Sequence, residues 1–135
     1  MSLELDIVDR YLGVAYKHHG RDLAGLDCWG LIKMIYKDLG YDLLDIETYD
    51  KEWVSKGANF FVENYHLQWE RVVHPELFNV VMFKNKDGVA CHAGLYLKEG
   101  IMIHASDRAG VVLIRINTVG NGKQFDGFYK FKGIA

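Results

Sequence analysis

The hydrophobic pattern of this chain changes period once, and no other feature constrains the fold as strongly. Between residues 3 and 16, Leu5, Val8, Leu12 and Ala15 recur every three or four positions, the spacing of one helix face. Leu31, Ile32, Ile35, Tyr36 and Leu39 repeat that spacing, and Gly40 stands just past the last of them as a stop. From Leu67 onward the period is two and β-branched residues take over. Strands are expected over 67–73, 79–84, 89–97, 101–105, 110–116 and 127–132, broken by His74-Pro75, Asn85-Lys86-Asp87-Gly88, Lys98-Glu99-Gly100 and Ser106-Asp107-Arg108. Helices first and consecutive strands after them predict an α+β fold, with N-terminal helices packed on one side of an antiparallel sheet. The intervening stretch 45–65, with Tyr49, Trp53, Phe60, Phe61 and Tyr65, reads as one or two short helices. It serves either as the rim of a cleft or as core.

With 135 residues the expectation is a single domain over 1–135 with one core. Sixteen basic against 18 acidic side chains, a net charge of −2, leave no basic footprint for nucleic acid. No apolar run reaches the length of a membrane span. The start, Met1-Ser2-Leu3-Glu4-Leu5-Asp6, reverses the basic-then-apolar order of a signal peptide, so the expectation is a chain cytoplasmic as synthesised. Two cysteines and no C-x-x-C pair argue against a disulfide scaffold or a zinc motif, and no cofactor is expected.

Chemistry concentrates in Gly25-Leu26-Asp27-Cys28-Trp29-Gly30. Asp27 is a suitable N-cap, which makes Cys28 the first or second residue of a helix, at the positive end of its dipole. A thiol there, with a cation near, is expected to have a lowered pKa and to react as thiolate. A half-buried structural thiol fits the same stretch. In the strand 89–97, strict alternation puts Val89, Cys91, Ala93, Leu95 and Leu97 on one face, with His92, Gly94 and Tyr96 on the other. If Lys98-Glu99-Gly100 is a three-residue hairpin loop, His104 falls opposite Gly94 and shares a face with His92. A two-residue loop would separate the two rings. Cys28, His92 and His104 together suit a thiol hydrolase: His92 takes the thiol proton and later protonates the leaving amine, while His104 orients His92. A metal site from Cys28, His92, His104 and Cys91 is disfavoured, because Cys91 and His92 are neighbours on opposite strand faces.

Taken together, three segments resemble the NlpC-type peptidoglycan cysteine peptidases of the papain-like group. Tyr11-Leu12-Gly13-Val14-Ala15-Tyr16 through Gly25-Leu26-Asp27-Cys28-Trp29-Gly30-Leu31 is similar to the segment bearing the nucleophile. Cys91-His92-Ala93-Gly94-Leu95-Tyr96 is similar to the strand bearing the base, and Met102-Ile103-His104-Ala105 to the strand bearing a third polar residue. The Asp-Cys-Trp-Gly form resembles the branch found in phage and prophage tail-tip proteins. Ala15 in place of proline, Trp29 in place of serine and Phe78-Asn79 in place of a Gly-Asp turn depart from the family pattern.

The resemblance implies a papain-like fold and hydrolysis of an amide bond in peptidoglycan stem peptides, between D-glutamate and a diamino acid. It also implies that Tyr16 lies beside the nucleophile and helps the Cys28 backbone amide hold the oxyanion. Tyr16 fits a core aromatic equally well. Peptidoglycan peptides and phage tail proteins are the expected partners, with a virion tail as the destination. The rival readings are an amidase or acyltransferase of the same fold, and a catalytically inactive tail-assembly component.

Overall fold

A computed structural model describes residues 3–43, 69–88, 90–120 and 122–132. The aromatic stretch 45–65 therefore lies outside the described residues, and its two readings are not decided. Helix α1 (Leu3–Tyr11) is followed by a small hairpin of β1 (Arg21–Asp22) and β2 (Gly25–Leu26), and then by α2 (Cys28–Asp38). Six strands follow: β3 (Trp69–Val72), β4 (Val80–Lys84), β5 (Ala90–Lys98), β6 (Ile101–Ser106), β7 (Gly110–Arg115) and β8 (Gln124–Phe131). They form one antiparallel sheet in the order β3-β8-β4-β5-β6-β7. This is the α+β layering read from the sequence.

Two elements differ from expectation. Helix α1 stops at Tyr11, short of residue 16, because the next residues are claimed by backbone partners elsewhere: Gly13 donates to the Val111 carbonyl at 2.9 Å, and Val111 donates to the Val14 carbonyl at 2.9 Å. The C-terminal strand β8 does not extend a consecutive run but inserts between β3 and β4. Period-two patterning marks a strand without naming its neighbours.

The main core lies between the helices and one sheet face. Ile7 and Tyr11 of α1 and Leu31, Ile32, Ile35 and Tyr36 of α2 pack there against Val80, Met82, Leu95, Ile103, Ala105 and Val111. The Tyr36 hydroxyl donates to the Phe78 carbonyl, anchoring α2 to the residues before β4. On the opposite sheet face, Val81, Phe83 and Met102 form a second buried cluster flanked by Tyr96, Ile114 and Phe128. Among the described residues, no helix is long and apolar enough to cross a membrane.

Candidate active site

Helix α2 begins at Cys28 because Asp27 caps it. The Asp27 backbone is extended, and its carboxylate accepts the Gly30 amide at 2.8 Å. The same carboxylate accepts the His19 amide at 3.0 Å and pairs with the Arg21 guanidinium at 2.8 Å, so the hairpin before the helix is strapped to its first turn. Gly30 makes that strap possible. A Cβ there would lie 2.0 Å from the Gly20 carbonyl oxygen, a clash with backbone. Arg21 was not singled out in the sequence, since one basic residue in a loop carries no pattern.

Leu26 fixes the other side of the cysteine. Its amide donates to the Ala15 carbonyl at 3.0 Å and its carbonyl accepts the Lys17 amide at 3.2 Å, forming a parallel bridge between Tyr16 and Leu26. Tyr16 is thereby held on the wall of the cavity that also exposes Cys28. Its hydroxyl pKa is pushed up to about 12, first by burial and then by the charges of Cys28, Asp27 and Asp107, so it stays a protonated donor.

The histidines come together through two register shifts. At the β5–β6 turn, Glu99 and Gly100 have φ of 53° and 78° and close a two-residue loop with Lys98 opposite Ile101, as a type I′ turn requires. By itself that loop would reverse the faces. A bulge between Tyr96 and Lys98 inserts one residue, restores the pairing of Leu95 with Ile103, and returns His104 to the face of His92. The expected same-face arrangement therefore holds, but through a shorter loop plus a bulge. Gly94 makes room between the strands: a Cβ on it would lie 2.9 Å from the Ile103 carbonyl oxygen and 3.1 Å from the His104 Cβ.

The second shift lies at the other end of β5, where Phe83 pairs with His92 and Lys84 with Ala90, leaving Cys91 as the extra residue. Strict alternation consequently fails over 89–97. Ala90 joins the helix-side core, and Cys91 lies on the cavity wall beside His92 and not on the opposite face. Among the described residues, no three His, Cys, Asp or Glu side chains form a group that could hold a metal ion.

In the assembled site, His92 Nε2 and His104 Nδ1 are 2.7 Å apart. Cys28, His92 and His104 are 6%, 8% and 6% exposed, and all three line one cavity of about 820 Å³. The β5–β6 ladder ends at Leu95 and Ile103, and beyond it the Ala93 amide is directed at the Cys28 thiol, as is that of Trp29. His92 Nε2 is engaged by His104, which leaves Nδ1 as its other ring nitrogen. For Nδ1 to act as a base, His92 carries its proton on Nε2 and donates it to His104 Nδ1, and His104 then bears its own proton on Nε2. The His104 Nε2 atom is buried without a protein partner.

Burial changes the expected protonation. It pushes the Cys28 thiol up to about 12, with the Asp27 charge adding to the effect, while the Ala93 and Trp29 amides and Arg21 pull the other way. His92 is pushed down to about 3 by burial, then by His104 and by the Lys123 charge, and His104 is lowered by burial and Lys123. Burial thus favours the neutral thiol and the neutral imidazoles, against the thiolate expected from the helix dipole. Proton transfer from Cys28 to His92 would leave the net charge of the site unchanged and form two opposite charges in one cavity, where they attract each other.

Residues 13–129 match the NlpC/P60 family. The chain belongs to that family. No curated protein matches. Among solved structures, the NlpC/p60 domain of the peptidoglycan hydrolase SagA is similar at 18% identity, with a TM-score of 0.61, covering 90% of this chain and 92% of that one. An NlpC/P60 family protein from Bacillus cereus is similar at 23% identity, with a TM-score of 0.64 over 93% of this chain but only 38% of that one. RipD from Mycobacterium tuberculosis, a non-catalytic NlpC/p60 domain protein adapted to peptidoglycan binding, matches at 18% identity and a TM-score of 0.61, over 96% of this chain and 97% of its own. These likenesses establish the shared fold.

Proposed function

We propose that the chain is a cysteine peptidase of bacterial cell wall, cutting an amide bond in peptidoglycan stem peptides between D-glutamate and a diamino acid. The observation that carries this reading is the 2.7 Å His92–His104 contact in the cavity that also holds Cys28 at the start of α2. Cys28 acts as nucleophile after His92 takes its proton, and His104 holds the His92 ring in the tautomer that can accept it. The negative charge that develops on the attacked carbonyl oxygen falls to the Cys28 backbone amide and the Tyr16 hydroxyl. His92, now imidazolium, protonates the leaving amine, and water then hydrolyses the thioester.

The Asp-Cys-Trp-Gly form of the nucleophile motif supports a phage or prophage tail setting, in which the protein is made in the cytoplasm and tail proteins carry it to the wall. The RipD likeness supports a second reading, peptidoglycan binding without hydrolysis. Purified peptidoglycan separates them. The first reading expects its turbidity to fall with the intact protein and to stay constant with a folded Cys28→Ala variant; the second expects both proteins to bind it and neither to clear it.

A further inference from the structure

The same cavity carries a cation that the proposed chemistry does not use. Lys123, in the turn before β8, is half-buried on the wall that also includes Cys91, His92 and His104. Its charge reaches all three: it opposes protonation of both histidines and favours ionisation of Cys91. Among the described residues, no carboxylate is paired with it. The cavity's other cation, Arg108, is exposed, where an ion pair contributes little. Asp107, next to Arg108 and exposed like it, lines the cavity near Tyr16. Among the described lining residues, Lys123 is thus the charged side chain held partly out of solvent, and it lies on the wall that includes the base. An unpaired ammonium in a partly dry cleft favours an anion that can accept its hydrogen bonds.

We propose that Lys123 is a specificity-determining residue, holding a free carboxylate of the peptide within one residue of the bond that is cut. This deepens the peptidase reading and rests on it. Stem peptides offer such a group on the glutamate and on the diamino acid, and wall chemistry can mask either as an amide. One charge-assisted hydrogen bond is worth about tenfold in selectivity.

Three synthetic tripeptides, L-alanyl-γ-D-glutamyl-diamino acid with free carboxylates, with the glutamate amidated, and with the diamino acid amidated, test this by their relative kcat/KM. The intact protein is expected to prefer the free form about tenfold over one of the amidated forms, which identifies the carboxylate held. Lys123→Met is expected to bring that ratio close to one, Lys123→Glu to invert it, and Lys123→Arg to retain it. An absent preference, or one unchanged in Lys123→Met, overturns the proposal. A second readout does not depend on peptide cleavage: the rates at which iodoacetate and iodoacetamide alkylate Cys28, assigned by peptide mass. Lys123→Met is expected to lower the iodoacetate-to-iodoacetamide ratio severalfold, and Lys123→Glu to lower it further. If no peptide is cut but this ratio responds, Lys123 is an anion-selecting residue and the peptidase reading fails; if peptides are cut and the ratio ignores Lys123, the peptidase reading stands and this proposal falls.

Discussion

Arg21 Nη1 lies 2.8 Å from Asp27 Oδ1, the same oxygen that accepts the Gly30 amide. One carboxylate thus caps the helix that presents Cys28 and fastens the preceding hairpin to it. Asp27 is 3% exposed, so removal of the guanidinium takes from a buried carboxylate an ion-pair partner at 2.8 Å. Arg21→Ala is expected to destabilise the fold by about 2–3 kcal/mol in chemical denaturation. Asp27→Asn, which keeps a capping oxygen and removes the charge, is expected to cost less. Equal stability of Arg21→Ala and the parent protein would refute this role.

The histidines are expected to differ in rank. His92→Ala should lower kcat/KM by roughly a thousandfold or more, since it removes the base. His104→Gln should retain more activity than His104→Ala, because an amide can still accept the proton on His92 Nε2. Steady-state kinetics on a stem peptide decide this, and equal losses in the two His104 variants would contradict the orienting role.

Gly94 offers a test of spacing. A methyl at this position meets the Ile103 carbonyl oxygen at 2.9 Å, and β6 must move away to admit it. Overpacking of this kind costs about 1–3 kcal/mol. Displacement of β6 also carries His104 away from His92, so Gly94→Ala is expected to lower kcat while circular dichroism still shows a folded sheet. Unchanged kcat would mean that the 2.7 Å contact is not needed.

The helix cap, the cysteine at its start and the existence of each strand of the large sheet were legible, because each follows from local spacing or from one residue's hydrogen-bonding habit. The shared face of the histidines was expected from a three-residue loop, whereas the chain reaches it through a two-residue loop and a bulge, and β8 begins three residues before its expected start. Bulges were not legible. Whether Cys91 faces the core or the cavity depends on how Phe83 and Lys84 pair across the sheet, a relation that β5 by itself does not encode. The placement of β8 between β3 and β4, the partnership of Arg21 with Asp27 and the position of Lys123 are likewise long-range outcomes. Burial of Cys28 under the packed sheet, another long-range outcome, raises the thiol pKa that the helix terminus by itself would lower.

That burial has a consequence for stability. Unfolded, a histidine titrates near 6.5; folded, His92 titrates at about 3, and His104 is also lowered. Below pH 6.5 the unfolded chain binds more protons than the native one, so stability is fully present above that pH and is lost as pH falls toward the folded value. The melting temperature is expected to drop as pH is lowered from 7 to about 4, and His92→Gln is expected to flatten that dependence. An equally steep acid slope in His92→Gln would show that other groups cause it.

A Cys–His pair attacks a carbonyl carbon and expels an amine, so it cuts amide bonds and leaves glycosidic bonds, which call for paired carboxylates. Mass spectrometry of purified sacculi digested with the protein, beside a Cys28→Ala control, tests the account most directly. The expected products are intact glycan units still carrying L-alanine and D-glutamate, together with peptides that begin at the diamino acid, all absent from the control. Glycan units stripped to the lactyl group would contradict the assigned bond, and products that persist with Cys28→Ala would contradict the role of Cys28 itself.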